Sequence, residues 1–572
     1  MQISPLHSCD FYKVVHRVQY PEGTQEVYSN FTARSGKLGN VHPDNFTGVV
    51  FFGLQHFILD FLIKDFNDMF FNQPKETVVA QYKRRLDNAL GKNAVAVDHI
   101  EALHDIGYLP IEIRALPEGT IVPIGVPMLT IRNTHPEFFW LTNYLETVLS
   151  NSLWKPITSA TTAHYYRMLL DKCAIKTGAD LGFCQFQGHD FSCRGMGGMH
   201  DAAISGAAHL ISLAGTDTVA AIDLLEYSYG ANSDDDLIGC SVPATEHSVT
   251  SAGGPQNEKE TLRRIIQDIH PSGIVSFVSD TYDLFSVICN YASELKPLIM
   301  SRNGKVVFRP DSGDPVLIIT GDENATSGSP ERKGVIECLW DIFGGTVNEK
   351  GYRVLDSHVG AIYGDSITYD RARSIMQRLE EKGFASSNIV FGIGSYTYQY
   401  CTRDTWGMAV KSTYCIINGQ GRDSYKDPNT DNGTKKSLRG RIVVVQKDAK
   451  RKLCFLTGGL DVPASVVVCR DRSVDLNHEF GNLAFVETVD LAGLVIVLYP
   501  VMAGCVFVLV SRIRNSDGSF APHGLCLLHR HLECGNQGML VASEVGAAFL
   551  DSYDSVQRAA EIFEPCNGFD EA

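Results

Sequence analysis

Between residues 200 and 400, short continuous apolar runs alternate with longer segments whose apolar residues recur at helical spacing. The runs are IVSFVSD (274–280), KVVFRPDSGDP (305–315), HVGAIYGD (358–365) and NIVFGIGS (388–395). Unbroken apolar runs suit strands covered on both faces, as in parallel sheets. Between them lie TYDLFSVICNYASELKPLIM (281–300) and SITYDRARSIMQRLEEKG (366–383). In the second, Ile367, Ala372, Ile375, Met376 and Leu379 share one helical face, and charges fill the rest. This alternation predicts a parallel β/α layer. The first 150 residues differ, with QEVYSNFTA, LPIEIRAL and GTIVPIGVPMLTI broken by Pro and Gly. The pattern therefore predicts an α/β chain in which a parallel β/α barrel-like domain is combined with a mainly β domain. Its divisions are a mainly β region with helices at 1–150, a barrel-like catalytic region at 151–400, a basic segment at 401–460 and a tail at 461–572.

Each apolar run ends abruptly in polar residues or glycine. In barrels and open sheets of parallel strands, the carboxyl ends of the strands carry the chemistry. Asp280, Arg309 with Asp311, Asp365 and Gly394 would then converge on one mouth. Taken alone, RPDSGDP also reads as a solvated turn in which an aspartate caps the next segment. Composition narrows the choices: 572 residues, 44% hydrophobic and 20% charged, are enough for more than one core. A formal charge of −16 gives no overall attraction to nucleic acid or an anionic membrane. An anionic substrate would need a local basic cluster. Residues 422–441, with Lys426, Lys435, Lys436, Arg439 and Arg441, read equally as a solvated loop or an anion clamp. The 15 cysteines have neither CxxC nor zinc-finger spacing and predict free thiols. The first residues lack a basic stretch followed by an apolar core, so the expectation is a cytoplasmic enzyme.

A series of motifs resembles the nicotinamide phosphoribosyltransferases. In order they are DFYKVVHRVQYP (10–21), LPIEIRALPEG (109–119), FFWLTNYLET (138–147), HDFSCRG (189–195), GTDTVAAI (215–222), SVPATEHS (241–248), VSDTYDLF (278–285), RPDSGDP (309–315), YGDSI (363–367), CTRDTW (401–406) and INGQGRDSYKDP (417–428). Any one motif is weak; their order across some 445 residues is specific.

The resemblance implies phosphoribosyl transfer from phosphoribosyl pyrophosphate to nicotinamide, with Mg2+ bound through the pyrophosphate, ATP as coupling nucleotide, and a homodimer with shared sites. It implies a nicotinamide sandwich between Phe191 and Tyr12, the tyrosine coming from the second subunit. Asp217 would face the carboxamide and Arg309 would border the ring. His189, Arg194 and Gly394 would serve the ribose 5-phosphate. Gly364 and Asp365, in the matching YGDSI segment, would also bind the ribose and phosphates. Asp280 and Asp311 would sit near the ribose and the magnesium pyrophosphate. Arg34, Arg403, Lys411, Lys426 and Lys435 match basic positions around the phosphates, and His247 matches a histidine phosphorylated by ATP. The chain departs from the family pattern at Ser366, Ser395 and Tyr396, where small residues or glycines are usual, and at Ala409, where a serine is usual. Two rival functions are a nicotinate-using enzyme of the same fold and a catalytically silent binding relative.

Beyond about residue 460 the resemblance ends. There LAGLVIVLYPVMAGCVFVLV (491–510) is an uncharged run of membrane-spanning length, divided by Pro500 and Gly504 into halves that suit buried strands. Strands, a membrane segment and an aberrant translated end are the open readings of this tail.

Overall fold

The computed structural model describes residues 3–364, 366–430 and 436–447, with side chains to 444, and beyond them the backbone of short strands between 452 and 529. The chain divides into two compact units, 1–474 and 475–572.

In chain order, the elements that position the site are β1 (Thr24–Thr32), β2 (Ile111–Ala115), β3 (Pro127–Asn133), α1 (Glu146–Thr177), β4 (Gly188–Asp190), α2 (Met199–His209) and β5 (Gly215–Thr216). They continue with β6 (Ser272–Val278), β7 (Asn303–Arg309), β8 (Val359–Tyr363), α3 (Tyr369–Glu381), β9 (Ile389–Ile393), β10 (Ala409–Ile417) and β11 (Gln420–Asp423).

Six strands form a parallel sheet in the order β5-β4-β9-β8-β7-β6. The segment after residue 239 hydrogen-bonds to both edges of this sheet. Thr216 N donates to Cys240 O (2.9 Å) and Cys240 N to Ala214 O (2.8 Å) on one side. Ser276 N donates to Pro243 O (2.8 Å) and Thr245 N to Ser276 O (3.0 Å) on the other. The curled sheet is thus closed through residues 240–245, which is the barrel-like arrangement the alternation predicts. Its strands carry the core: Val275, Phe277, Val306, Phe308, Ala361, Tyr363, Phe391 and Ile393 are all 2% exposed or less. The second sheet is antiparallel, in the order β11-β10-β1-β3-β2. Here β1 is central and nearly wholly buried, and β10, more than 370 residues later, is its neighbour.

The helix read from residues 366–383 begins at Tyr369, because the Thr368 hydroxyl accepts from Arg371 N (3.2 Å) and caps it. Ile367 is buried but precedes the helix, so its place in the apolar pattern belongs to the loop. Residues 281–300 form a π-helical stretch, Ser286–Tyr291, followed by short α-helical pieces. The very short strands β4 and β5 carry no periodic signal and were legible only as the motifs HDF and GTD. The 32-residue helix α1 contains Pro156 and was not read from the pattern.

In the second unit, Val489–Leu491 pairs with Leu494–Ile496, and Leu498–Pro500, Cys505–Val508 and Leu527–His529 form an antiparallel sheet. The described parts of the 491–510 run are therefore strands. Among the described residues no helix is long and apolar enough to cross a membrane. The cysteines from Cys9 to Cys415 are free thiols.

Candidate active site

Every strand of the parallel sheet hands over at its carboxyl end to a residue singled out in the sequence. Phe191 follows β4, Asp217 follows β5, Asp280 lies just past β6, and Arg309 ends β7 with Asp311 beyond it. Gly364 follows β8 and Gly394 follows β9. His247 follows the segment that closes the ring.

Two glycines make room at this mouth. A Cβ on Gly392 would lie 2.5 Å from Phe191 Cδ2, so the bare strand is the seat of that ring. A Cβ on Gly364 would lie 2.0 Å from Asp311 Oδ1, so the carboxylate reaches its position only over a glycine. Phe191 N donates to Ile393 O (3.0 Å), and the His189 ring lies 5.0 Å from the phenyl ring.

Beside Phe191, Asp217 Oδ1 accepts from Ser241 Oγ (2.5 Å) and lies 3.3 Å from His189 Nε2. Burial raises its pKa, but the hydrogen bonds from His189 and Ser241, with the charges of His189 and Arg309, outweigh burial and hold the carboxyl below its ordinary value. Capping of this turn falls to Thr216, whose Oγ1 accepts from Thr218 N (3.0 Å), which leaves the Asp217 side chain to the network. Asp190, wholly buried, joins the two strand ends: its carboxylate accepts from Ser192 N (2.9 Å) and Thr218 Oγ1 (2.7 Å), and its carbonyl from Asp217 N (3.0 Å). Neither Asp190 nor Ser241 was singled out in the sequence, although each adjoins or lies within a family motif.

On the other side, Asp280 Oδ2 accepts from Asp311 N (3.0 Å) and from Ser312 Oγ. Arg309 donates through Nη2 to Thr245 O (2.8 Å) and pairs with Asp311 through Nε (3.3 Å). His247 Nε2 stands 3.9 Å from Asp280 Oδ1 and 3.7 Å from Asp311 Oδ2. Its Nδ1 is 3.1 Å from Thr281 Oγ1, and 49% of its side chain is exposed. His247, Asp280 and Asp311 each offer one ligand atom within 4.8 Å of the others. Asp280 Oδ1 is buried without a hydrogen-bond partner among the described residues. Carboxylate oxygens suit a hard cation such as Mg2+ that keeps its remaining positions for water and phosphate. Burial, with smaller contributions from the charges of Asp283 and Asp280, pushes the nearby Glu258 carboxyl up to about 7. Both readings of RPDSGDP are realised, on different aspartates: Asp314 caps the helix Pro315–Thr320, accepting from Val316 N (2.8 Å), while Asp311 joins the site.

The basic candidates divide. Lys411 feels burial first, and then the charges of Arg34, Lys13 and Arg403, which lower its pKa against the opposing pull of Glu146. Arg34, Lys13 and Arg403 thus lie near enough to Lys411 to act on its charge, and Glu146 pairs with Lys13 and lies 3.9 Å from Lys411. Lys13 and Glu146 went unrecognised in the sequence, since both are nearly hidden inside apolar stretches. Arg34 also donates through Nε to Gly407 O (2.9 Å). Lys426 is exposed, tied by its backbone to Ser437, and Arg194 is exposed at the mouth. Tyr12 is 58% exposed, and its ring neighbours are His16 and the Lys13 ammonium rather than Phe191. Asp365 and Lys435 lie outside the described residues.

The departures have distinct surroundings. Ser366 takes a positive φ of 49°, a conformation that favours glycine. Ser395 covers Gly195, where an added Cβ would meet its Oγ at 2.1 Å. Tyr396 stacks on Tyr400 (5.4 Å, 13°), and the space beside Gly394 stays open. Ala409 is buried opposite Thr32.

Residues 186–480 match the nicotinate phosphoribosyltransferase family, and residues 4–113 match the nicotinamide phosphoribosyltransferase N-terminal domain. The first match runs to 480, past residue 460, beyond which the sequence showed no resemblance. The chain is 57% identical over 449 residues to a nicotinamide phosphoribosyltransferase of Acinetobacter baylyi, an alignment covering 77% of this chain and 88% of that protein. It is 34% identical over 455 residues to one of Mycoplasma pneumoniae, covering 76% of this chain and 95% of that protein. Among solved structures it is similar to the nicotinate-nucleotide pyrophosphorylase of Pyrococcus furiosus, with 14% identity, a TM-score of 0.45, and coverage of 80% of this chain and 85% of that one. The chain belongs to the nicotinamide phosphoribosyltransferase family, within the wider nicotinate phosphoribosyltransferase family.

Proposed function

We propose that this chain transfers the phosphoribosyl group of phosphoribosyl pyrophosphate to nicotinamide, giving nicotinamide mononucleotide and pyrophosphate in NAD salvage. As a member of its family it is a phosphoribosyltransferase. The observation that carries the substrate assignment is the ionised Asp217, fixed by His189 and Ser241 beside Phe191. That carboxylate can accept from the N–H groups of a carboxamide and repels the carboxylate of nicotinate.

In the reaction the pyridine nitrogen forms a bond to the anomeric carbon as the bond from that carbon to the pyrophosphate oxygen breaks. The electron pair leaves with pyrophosphate. No proton moves, so no general base is required. Phe191, on its glycine seat, aims the ring, with Tyr12 of a second copy on the opposite face of the base; this is positioning catalysis. Arg309 borders the base. Asp280 and Asp311 favour the cationic character that develops on the ribose. Mg2+, bound through the pyrophosphate beside these two carboxylates, would neutralise charge on the leaving group. Arg34, Arg403 and Lys411 supply local positive charge for the phosphates in a chain of net charge −16, and exposed Lys426 adds to it; Lys435 is the further basic position that the family resemblance implies. Arg194, His189 and Gly394 would hold the 5-phosphate.

Incubation of the purified protein with phosphoribosyl pyrophosphate, Mg2+ and either nicotinamide or nicotinate, with assay of mononucleotide, tests this reading. Product from nicotinamide is expected; product from nicotinate alone, or none, would overturn it. We assign His247 to coupling ATP hydrolysis to turnover, because its exposed ring faces the two carboxylates while the transfer needs no base. His247→Ala is then expected to keep slow ATP-independent synthesis and lose stimulation by ATP. A variant that responds to ATP like the parent would remove that role. The enzyme on this reading is a cytoplasmic homodimer.

A further inference from the structure

Away from the strand ends, His56, Asp60 and His200 meet from two distant parts of the chain. His56 closes the short helix Leu54–His56, Asp60 lies four residues on in the π-helical stretch Phe57–Asp65, and His200 is in the first turn of α2. One ligand atom from each lies within 4.8 Å of the others. The two imidazole rings are 5.2 Å apart and inclined at 33°.

A second observation concerns the His56 ring itself. The residue is only 8% exposed, its Nδ1 is 2.7 Å from Ser228 Oγ, and its Nε2 is buried with no hydrogen-bond partner among the described residues. Buried polar atoms are nearly always satisfied. A ring whose one nitrogen is fixed by a hydroxyl and whose other is left open, beside a second imidazole and a carboxylate, has the arrangement of a metal ligand oriented by an outer hydrogen bond.

We propose that His56, Asp60 and His200 bind a divalent transition-metal ion of the zinc type. Two imidazoles and one carboxylate match the donor preference of such ions over Mg2+ or Ca2+. The exposed position of His200 leaves a coordination place for water. Bound there, the ion ties α2 to the Leu54–Asp65 segment. Because α2 begins five residues after Arg194, the ion braces the polypeptide that leaves the Phe191 strand end. The site uses none of the residues assigned to phosphoribosyl transfer, so it stands or falls independently of that function.

The test is equilibrium dialysis of full-length, chelator-stripped protein against Zn2+ in excess Mg2+, with metal analysis of the parent, His200→Ala and Asp60→Asn. His200 is exposed, so its replacement leaves the core intact. Zinc held by thiols is common to all three proteins and cancels in the difference. The parent is expected to retain one equivalent per chain more than either variant, and its Tm should rise with Zn2+ while that of His200→Ala does not, as follows when an ion binds only the folded chain. Equal stoichiometry in parent and His200→Ala would overturn the site.

Discussion

Asp217 is held as an anion at the mouth of the barrel by groups that reach it from two other segments, His189 and Ser241. Replacing it with asparagine removes the negative charge and supplies an N–H donor, so a carboxylate in the base would no longer be repelled. Asp217→Asn is expected to narrow the preference for nicotinamide over nicotinate by about 1 to 3 kcal/mol, the scale of a mispaired charged hydrogen bond. The measurement is the ratio of kcat/KM for the two bases in parent and variant; an unmoved ratio would take Asp217 out of base selection. Ser366 raises a different question, since its φ of 49° places a non-glycine residue in the left-handed region. That conformation costs about 1 to 2 kcal/mol for a residue with a Cβ, and more for a β-branched one. Ser366→Gly is expected to keep or raise the thermal midpoint, and Ser366→Val to lower it. Scanning calorimetry of the three proteins checks the order.

At the scale of elements, β9 serves the site through what it lacks. Gly392 lies against the Phe191 ring, and an added Cβ would stand 2.5 Å from Cδ2 and 2.9 Å from Tyr363 O. The backbone of β8 cannot yield without breaking the sheet, so the ring must move. Overpacking of this kind costs about 1 to 3 kcal/mol. If the displacement falls on the stacked base, kcat/KM for nicotinamide in Gly392→Ala should drop roughly tenfold to a hundredfold, with far-ultraviolet dichroism unchanged. A variant with parental kinetics would show that the ring position is immaterial. The strand ends themselves were legible in the sequence, because a buried parallel strand is a continuous apolar run and its end is marked by Pro, Gly or a charge. The strands β4 and β5 were not, since two or three residues carry no period. Nor was the π-helical course of residues 286–291, because hydrophobic spacing over six residues does not separate one helical winding from another.

For the whole molecule, Tyr12 is the informative residue: in its own chain it is exposed and its ring neighbours are His16 and Lys13, not Phe191. If a second copy supplies the other face of the base, inactive Tyr12→Ala and inactive Phe191→Ala proteins should regain activity when their subunits are exchanged, since one site per mixed dimer is then intact. Absence of rescue in a mixture shown to have exchanged would argue for sites complete within one chain. The sequence by itself determined the parallel β/α region, the carboxyl-end placement of Asp280, Arg309, Asp311 and Gly394, and the family, because apolar periodicity and motif order are properties of the chain read in line. It also called for a local basic cluster, since the overall charge is −16. The family resemblance named Arg34, Arg403 and Lys411 for it, and only the tertiary structure added Lys13 and Glu146 and brought these residues together. Lys13 pairs with Glu146, which lies 3.9 Å from Lys411, and Arg34 and Arg403 act on Lys411, because β10 pairs with β1 across more than 370 residues. The same holds for Ser241 on Asp217, for the closure of the sheet through residues 240–245, and for the meeting of His56 with His200. Each depends on contacts between segments far apart in sequence, and a local pattern of polar and apolar positions carries no information about which distant segment will become its neighbour.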